Sequence, residues 1–154
     1  MSEIRHDTVH MVDVGDKPVT FRRARAAGVL SVSEEQMRLL ASGEVAKGDW
    51  RSVARVGGIL AAKRCAEWIP LCHPIALEQV EVDISLSVDT RRVRVECTVA
   101  THGKTGVEME ALCGVSSALL CVYDMIKGAD RGATIESVTL LEKSGGRSGH
   151  WTRP

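Results

Sequence analysis

Apolar and polar residues alternate strictly in two neighbouring stretches, Val80, Val82, Ile84, Leu86, Val88 and then Val93, Val95, Cys97, Val99, separated by Asp89-Thr90-Arg91. A period of two with a polar break predicts a β-hairpin with one face on the core and one in water. Elsewhere the period is helical. Ser33 followed three residues later by Gln36 makes a capping box, and Gly43 offers a left-handed stop, so a short helix is expected between them. A second helix is expected from about Trp50 to Glu67, with Asp49 as N-cap, Pro70 beyond its end, and Val53, Val56, Ile59 and Leu60 on its apolar side. Gly57-Gly58 in its middle costs about 1 kcal/mol per glycine relative to Ala, which points to another backbone packed closely there. A long helix is expected from about Gly106 to Lys127 with Gly128 as its stop, then a strand from Thr134 to Lys143 carrying Ile135, Val138 and Leu140. One earlier strand between Pro18 and Val32 completes the order β, α, β, β, α, β. That order predicts an α+β fold, a ferredoxin-like split βαβ sandwich with helices on one face of an antiparallel sheet.

The 154 residues contain no repeat, linker or low-complexity tract, so a single domain is expected over 1–154, with about ten residues at each end loosely held. With 44% apolar and 26% charged residues the chain can build a real core. Twenty basic residues balance twenty acidic ones, and aromatics are only 3%. Neither a long-range pull toward a polyanion nor a row of stacking rings is on offer, so nucleic acid is not expected as a partner. The longest stretch without a charged residue, Ala111 to Tyr123, is shorter than the roughly 20 apolar residues that cross a bilayer. The start of the chain lacks an apolar leader segment. Five irregularly spaced cysteines argue against a disulfide framework and for a reducing cytoplasm. No Cys-x-x-Cys pair exists to nucleate a zinc site, and no metal site is expected.

Candidate chemistry concentrates on the last helix. Gly106, Glu110, Cys113, Ser117 and Asp124 fall on one line of it, a small and polar stripe expected to be covered by another chain or by a substrate. Asp124 and Lys127 lie one turn apart, a spacing that serves proton transfer and everyday surface ion pairs alike. Asp124 alone would raise the proton affinity of Lys127, so an acid near neutral pH needs further cations, with Lys47, Lys63, Arg64 and Lys143 as candidates. Glu110 and Asp124 are 14 positions apart, about 21 Å along a helix. One chain's small pocket does not hold both, so a ligand that touches both needs a long site or one completed by a second copy. Trp68-Ile-Pro-Leu-Cys-His-Pro74 holds Cys72 and His73 on a loop stiffened by two prolines. A metal-dependent hydrolase using that pair is a weaker reading. Gly103-Lys104-Thr105 fails as a P-loop because the earlier Gly is missing at Thr98. The Gly-rich stretch from Lys143 to Gly149 reads either as an anion-binding nest or as a loose tail. Lys47, just before a helix start, makes a second anion site.

Taken together, Met11-Val-Asp-Val14, Lys47-Gly-Asp49, Ile69-Pro-Leu-Cys-His-Pro74, Gly103-Lys-Thr-Gly-Val-Glu-Met-Glu-Ala-Leu112, Tyr123-Asp-Met125 and Leu141-Glu-Lys-Ser-Gly-Gly146 resemble the molybdenum cofactor biosynthesis protein C (MoaC) family, the cyclic pyranopterin monophosphate synthases. The resemblance covers nearly the whole chain in order. It implies a ferredoxin-like subunit assembled as a hexamer, a trimer of dimers with active sites at the dimer contact. It also implies a lyase that converts a 3′,8-cyclised dihydro-GTP, supplied by a partner radical-SAM cyclase, into cyclic pyranopterin monophosphate and pyrophosphate. Carried onto this sequence, catalytic roles fall on Asp124, Lys127 and Lys47. Substrate contacts fall on Leu71, Cys72, His73, Met109 and Glu110, with Arg22, Lys63, Glu108 and Lys143 as further pocket residues. No resident cofactor is implied, although Mg²⁺ riding on the triphosphate fits. The rival reading is a scaffold module that binds a pterin or nucleotide without changing it. Trp50 and the tail after Trp151 have no role in this chemistry.

Overall fold

A computed structural model describes residues 8–154. Five strands form one antiparallel sheet in the order β2-β3-β1-β4-β5: β1 (Thr20–Ser31), β2 (Gln79–Ser87), β3 (Arg92–Gly103), β4 (Thr134–Ser144) and β5 (Trp151–Thr152). Four helices accompany it: α1 (Glu34–Ser42), α2 (Trp50–Lys63), the single turn α3 (Cys65–Trp68) and α4 (Glu108–Ile126). The first four strands and the two long helices make the expected α+β split βαβ arrangement. The sequence reading contains no strand at Trp151–Thr152, where β5 pairs with Glu142 and Lys143 of β4.

Local signals are met where the interaction that makes them is local. The side chain of Ser33 accepts from Gln36 N while the Gln36 side chain accepts from Ser33 N, and Gly43 closes α1 at φ 77°. The hairpin pairs Val82 with Cys97 and Ile84 with Val95, and these four are buried. The other face of the sheet carries paired charges instead, such as Arg25 between Glu96 and Glu142. At the β2 edge, Arg51 and Arg55 of α2 donate to the carbonyls of Ile84 and Val82. Those bonds blunt an edge that would otherwise offer itself to another strand.

The second helix differs from expectation in length and in face. It ends at Lys63, because the Arg64 N–H is shared among the carbonyls of Leu60, Ala61 and Ala62, and the chain then turns Cys65 inward. Val53, Val56 and Leu60, expected on the apolar side toward the core, are 44%, 64% and 45% exposed. The buried residues are Trp50, Ala54, Gly58, Ala61 and Ala62. Close helix approach decides this: a Cβ on Gly58 would lie 2.9 Å from the Gly114 carbonyl of α4, and one on Gly57 2.5 Å from Cys121 Sγ. Only small residues fit that seam, so the larger ones face outward. The glycine pair thus marks the close backbone contact its position predicts.

The same seam corrects the reading of the α4 stripe. Ser117 donates to the Gly57 carbonyl at 3.1 Å and Cys113 lies 3.6 Å from Cys65 Sγ, so this chain's own α2 and α3 cover most of it. Only Asp124, at the far end, stays exposed. By length and composition α4 is apolar enough to cross a bilayer. Ten of its residues are instead buried in the fold. Val115 and Leu119 press on β1 where Gly28 leaves no room for a Cβ.

Candidate active site

Three chemistry-bearing groups meet at the C-terminal end of α4. Asp124 Oδ1 lies 2.7 Å from Lys127 Nζ, and Asp124 Oδ2 lies 2.7 Å from Lys47 Nζ. Lys127 is the C-cap of α4, one turn from Asp124 as expected. Lys47 comes from the loop between α1 and α2, where Gly48 takes φ 102°. That loop is framed by Trp50, which is 2% exposed and donates from its indole nitrogen to the Leu40 carbonyl at 3.1 Å. Trp50 therefore ties the start of α2 to α1 and gives the Lys47 loop fixed ends. The two lysines hold the Asp124 carboxyl down at about 2, Lys127 first and Lys47 second. At the expected anion site the Lys47 ammonium is paired with Asp124, while Asp49 caps α2 through the N–H groups of Arg51 and Ser52.

The other predicted residues gather at the opposite end of α4. Leu71, Cys72, His73, Glu108, Met109 and Glu110 line one cavity of about 440 Å³. Arg22, Glu108 and Lys143 line a second, of about 480 Å³, that shares Lys17, Thr105, Gly106 and Glu108 with the first. Lys63 and Glu110 line a third, of about 300 Å³. Asp124, Lys127 and Lys47 line none of these three. Within one chain the predicted residues thus form two separate groups, as the spacing along α4 requires.

Burial pushes the Glu110 carboxyl up, and the neighbouring charge of Glu108 adds to this. Its environment is the reverse of the one at Asp124. The basic cavity holds two cations that sequence reasoning did not assign, Lys17 and Lys104, which line it beside Arg22, Lys143 and Arg147 of the Gly-rich stretch. Lys104 belongs to the segment set aside as a failed P-loop, and no local pattern marks Lys17. The Gly-rich stretch is folded onto this cavity. Gly145, Gly146 and Gly149 all have positive φ, the Gly149 N–H donates to the Gly146 carbonyl, and Lys143 donates to Ser148. A Cβ on Gly146 would overlap the Arg22 guanidinium. Arg22 in turn donates to the carbonyls of Gly103 and Lys104, both at 3.3 Å. Among the described residues no three His, Cys, Asp or Glu side chains converge as metal ligands.

The sequence profile of the MoaC family matches residues 11–146. The chain belongs to the MoaC family. It is 50% identical to a cyclic pyranopterin monophosphate synthase from Thermomicrobium roseum, over 99% of this chain and 95% of that protein. It is 51% identical to a protein of the same name from a Methylobacterium species, over 92% of this chain and 89% of that one. A molybdenum cofactor biosynthesis bifunctional protein from Synechococcus elongatus is also 51% identical, over 94% of this chain but 45% of its own length. The MoaC match begins at Met11 and ends at Gly146, so it takes in both ends of α4 and the first part of the glycine-rich segment.

Proposed function

We propose that this MoaC-family chain is a cyclic pyranopterin monophosphate synthase of molybdenum cofactor biosynthesis, acting in the cytoplasm as a pyrophosphate-releasing lyase. The observation that carries this reading is the meeting of Lys47 and Lys127 on the two oxygens of Asp124, in a chain about half identical to synthases of that name. Those names support turnover over passive carriage of a pterin. The substrate is a small molecule, a 3′,8-cyclised dihydro-GTP made by an upstream radical-SAM cyclase.

Opening the purine-derived ring and closing a pterin requires proton transfers. A carboxyl held at about 2 by two ammonium groups is a weak base. An arriving anionic substrate competes for those cations, draws a lysine away and frees an Asp124 oxygen to accept a proton, with Lys127 as the donor. Closing the cyclic phosphate expels pyrophosphate. The cavity of Lys17, Arg22, Lys143 and Arg147 supplies fixed positive charge for that leaving group. No resident cofactor takes part in this scheme, and Mg²⁺ enters only as part of the triphosphate substrate.

The two groups of residues lie at opposite ends of α4, so a second copy brings them together. Val53, Val56 and Leu60 of α2 and Leu120 of α4, at 53% exposure, supply an apolar face for it. Leu120 is one turn from Asp124, which places the seat of a partner beside the Asp124 carboxyl. Dimers of this kind, three to a hexamer, are the assembly we propose. The decisive experiment mixes purified protein with the cyclised nucleotide and measures pyrophosphate. Release well above that of Asp124→Ala is expected, and equal release from both proteins overturns the reading.

A further inference from the structure

Residues 8–18 belong to no helix or strand. Yet His10, Val12, Val14 and Lys17 line the cavity that holds Cys72 and His73, and Lys17 lines the basic cavity as well. Such an arm gives up backbone freedom by lying on the fold and gains no ladder of hydrogen bonds in return. Its internal bonds shape one turn: the Gly15 N–H donates to Asp13 Oδ1 at 2.8 Å, and the Lys17 N–H to the Val14 carbonyl at 3.1 Å. Among the described residues one hydrogen bond joins this arm to the rest of the fold, from Lys104 Nζ to the Gly15 carbonyl at 2.6 Å. The charge on its donor makes it one of the stronger kind. Lys104 is itself held from behind, because its own carbonyl and that of Gly103 accept from Arg22 of β1. The loop between β3 and α4 thus grips the sheet with its backbone and the arm with its side chain.

We infer that Lys104 is a positioning residue for the reaction: through the Gly15 carbonyl it holds residues 8–18 as a wall of both cavities and sets Lys17 where the two adjoin. This rests on the reading of the basic cavity as the seat of the departing pyrophosphate. Lys17 follows Gly15 by two residues, so the grip on one fixes the place of the other. A charge displaced by about 1 Å from the group it serves is enough to slow a reaction markedly. The Gly103-Lys104-Thr105 segment therefore has a use other than the phosphate cradle it imitates. Its lysine meets a neutral carbonyl of its own chain, and the phosphate-facing charge is supplied by Lys17, two residues beyond that carbonyl. Lys104 is exposed and lies outside the buried core, so its removal spares the fold.

The test reads the arm and the turnover separately. Full-length protein without substrate is placed in D₂O, and deuterium uptake of residues 8–18 is followed by mass spectrometry. Lys104→Met keeps an unbranched side chain but has no donor, and is expected to speed exchange in this segment about three- to tenfold while other segments stay as in the parent. Lys104→Arg restores a donor and brings the exchange to within about twofold of the parent. In the pyrophosphate assay Lys104→Met and Lys17→Ala each lower kcat/KM by about tenfold. Because Lys104 acts through the arm, the double variant is expected to be little worse than Lys17→Ala alone, whereas independent contacts with the substrate would multiply. Unchanged exchange in Lys104→Met, faster exchange that Arg does not reverse, or losses that multiply in the double variant overturns the inference. So does a fall in melting temperature with exchange raised throughout the protein, the mark of a merely structural lysine. If the exchange behaves as stated but the parent releases no pyrophosphate, the grip of Lys104 on the arm stands and the proposed function falls.

Discussion

The two ends of α4 each carry a carboxylate, and the fold treats them in opposite ways. Asp124 is about half exposed and clamped by Lys47 and Lys127, which drive its pKa down to about 2. Glu110, at the other end of the same helix, is buried with no ion-pair partner among the described residues, and its pKa is pushed up by burial and by Glu108. One end is a charge cluster whose members water and substrate can reach. The other is a carboxyl shut away from water, in the walls of two cavities. The contrast shows that one helix supplies both a group poised to stay ionised and a group poised to hold its proton longer, which is the division of labour acid–base chemistry uses.

The comparison is broken most sharply at the exposed end. Lys127→Ala is expected to lower pyrophosphate release by roughly 10²- to 10⁴-fold while the melting temperature stays within about 2 °C of the parent. A large fall in melting temperature would make Lys127 structural. Next in size is a mixing experiment. An Asp124→Ala protein combined with a Glu110→Gln protein, each inactive alone, is expected to regain about a quarter of the parent rate, because half of random dimers are hybrids and each hybrid holds one intact shared site of two. Verified hybrids without activity would place the two ends in separate sites.

At the buried end the expected effect is on stability. Glu110 binds its proton more tightly folded than unfolded, so parent stability falls as pH rises from the ordinary glutamate value through the raised one, where a buried charge must form. Glu110→Gln removes that charge, and the difference in melting temperature between about pH 5 and about pH 8 should shrink. An unchanged slope would show that Glu110 titrates as an ordinary carboxyl. Asp124 runs the other way: its lowered value supports the fold above the ordinary aspartate range, and that support fades only as pH falls toward about 2. The smallest expected effect is at Trp50. Trp50→Phe keeps the packing but deletes the donor to Leu40, costing about 1 kcal/mol by denaturant unfolding. A two- to five-fold loss of turnover, on the order of a slightly misplaced Lys47, accompanies it.

The fold was legible where neighbours in sequence make the structure. The Ser33–Gln36 box, the Gly43 stop and the Val80–Val99 hairpin all depend on contacts within a few residues or on a strict period, and all are found. The buried face of α2 was not legible. Val53, Val56 and Leu60 have the right spacing for a core stripe, yet the closeness of Gly57 and Gly58 to α4 leaves the core side to Ala and Gly. The small-residue stripe on α4 was recognised as a covered surface, but its cover is the chain's own α2 and α3.

The candidate site divides in the same way. Composition, spacing and motif order placed Asp124 and Lys127 together, singled out the Cys72–His73 loop and pointed to the MoaC family, because these rest on residues adjacent along the chain. Tertiary structure alone brought Lys47 across 77 positions to Asp124, set Lys17 beside Arg147 in one basic cavity, and buried Glu110 in the wall of a cavity that Cys65 also lines. A sequence records which groups are available and how helices and strands repeat. Which carboxylate meets a cation and which loses its water is fixed only when distant segments pack, because electric interactions and desolvation depend on separation in space and not along the chain.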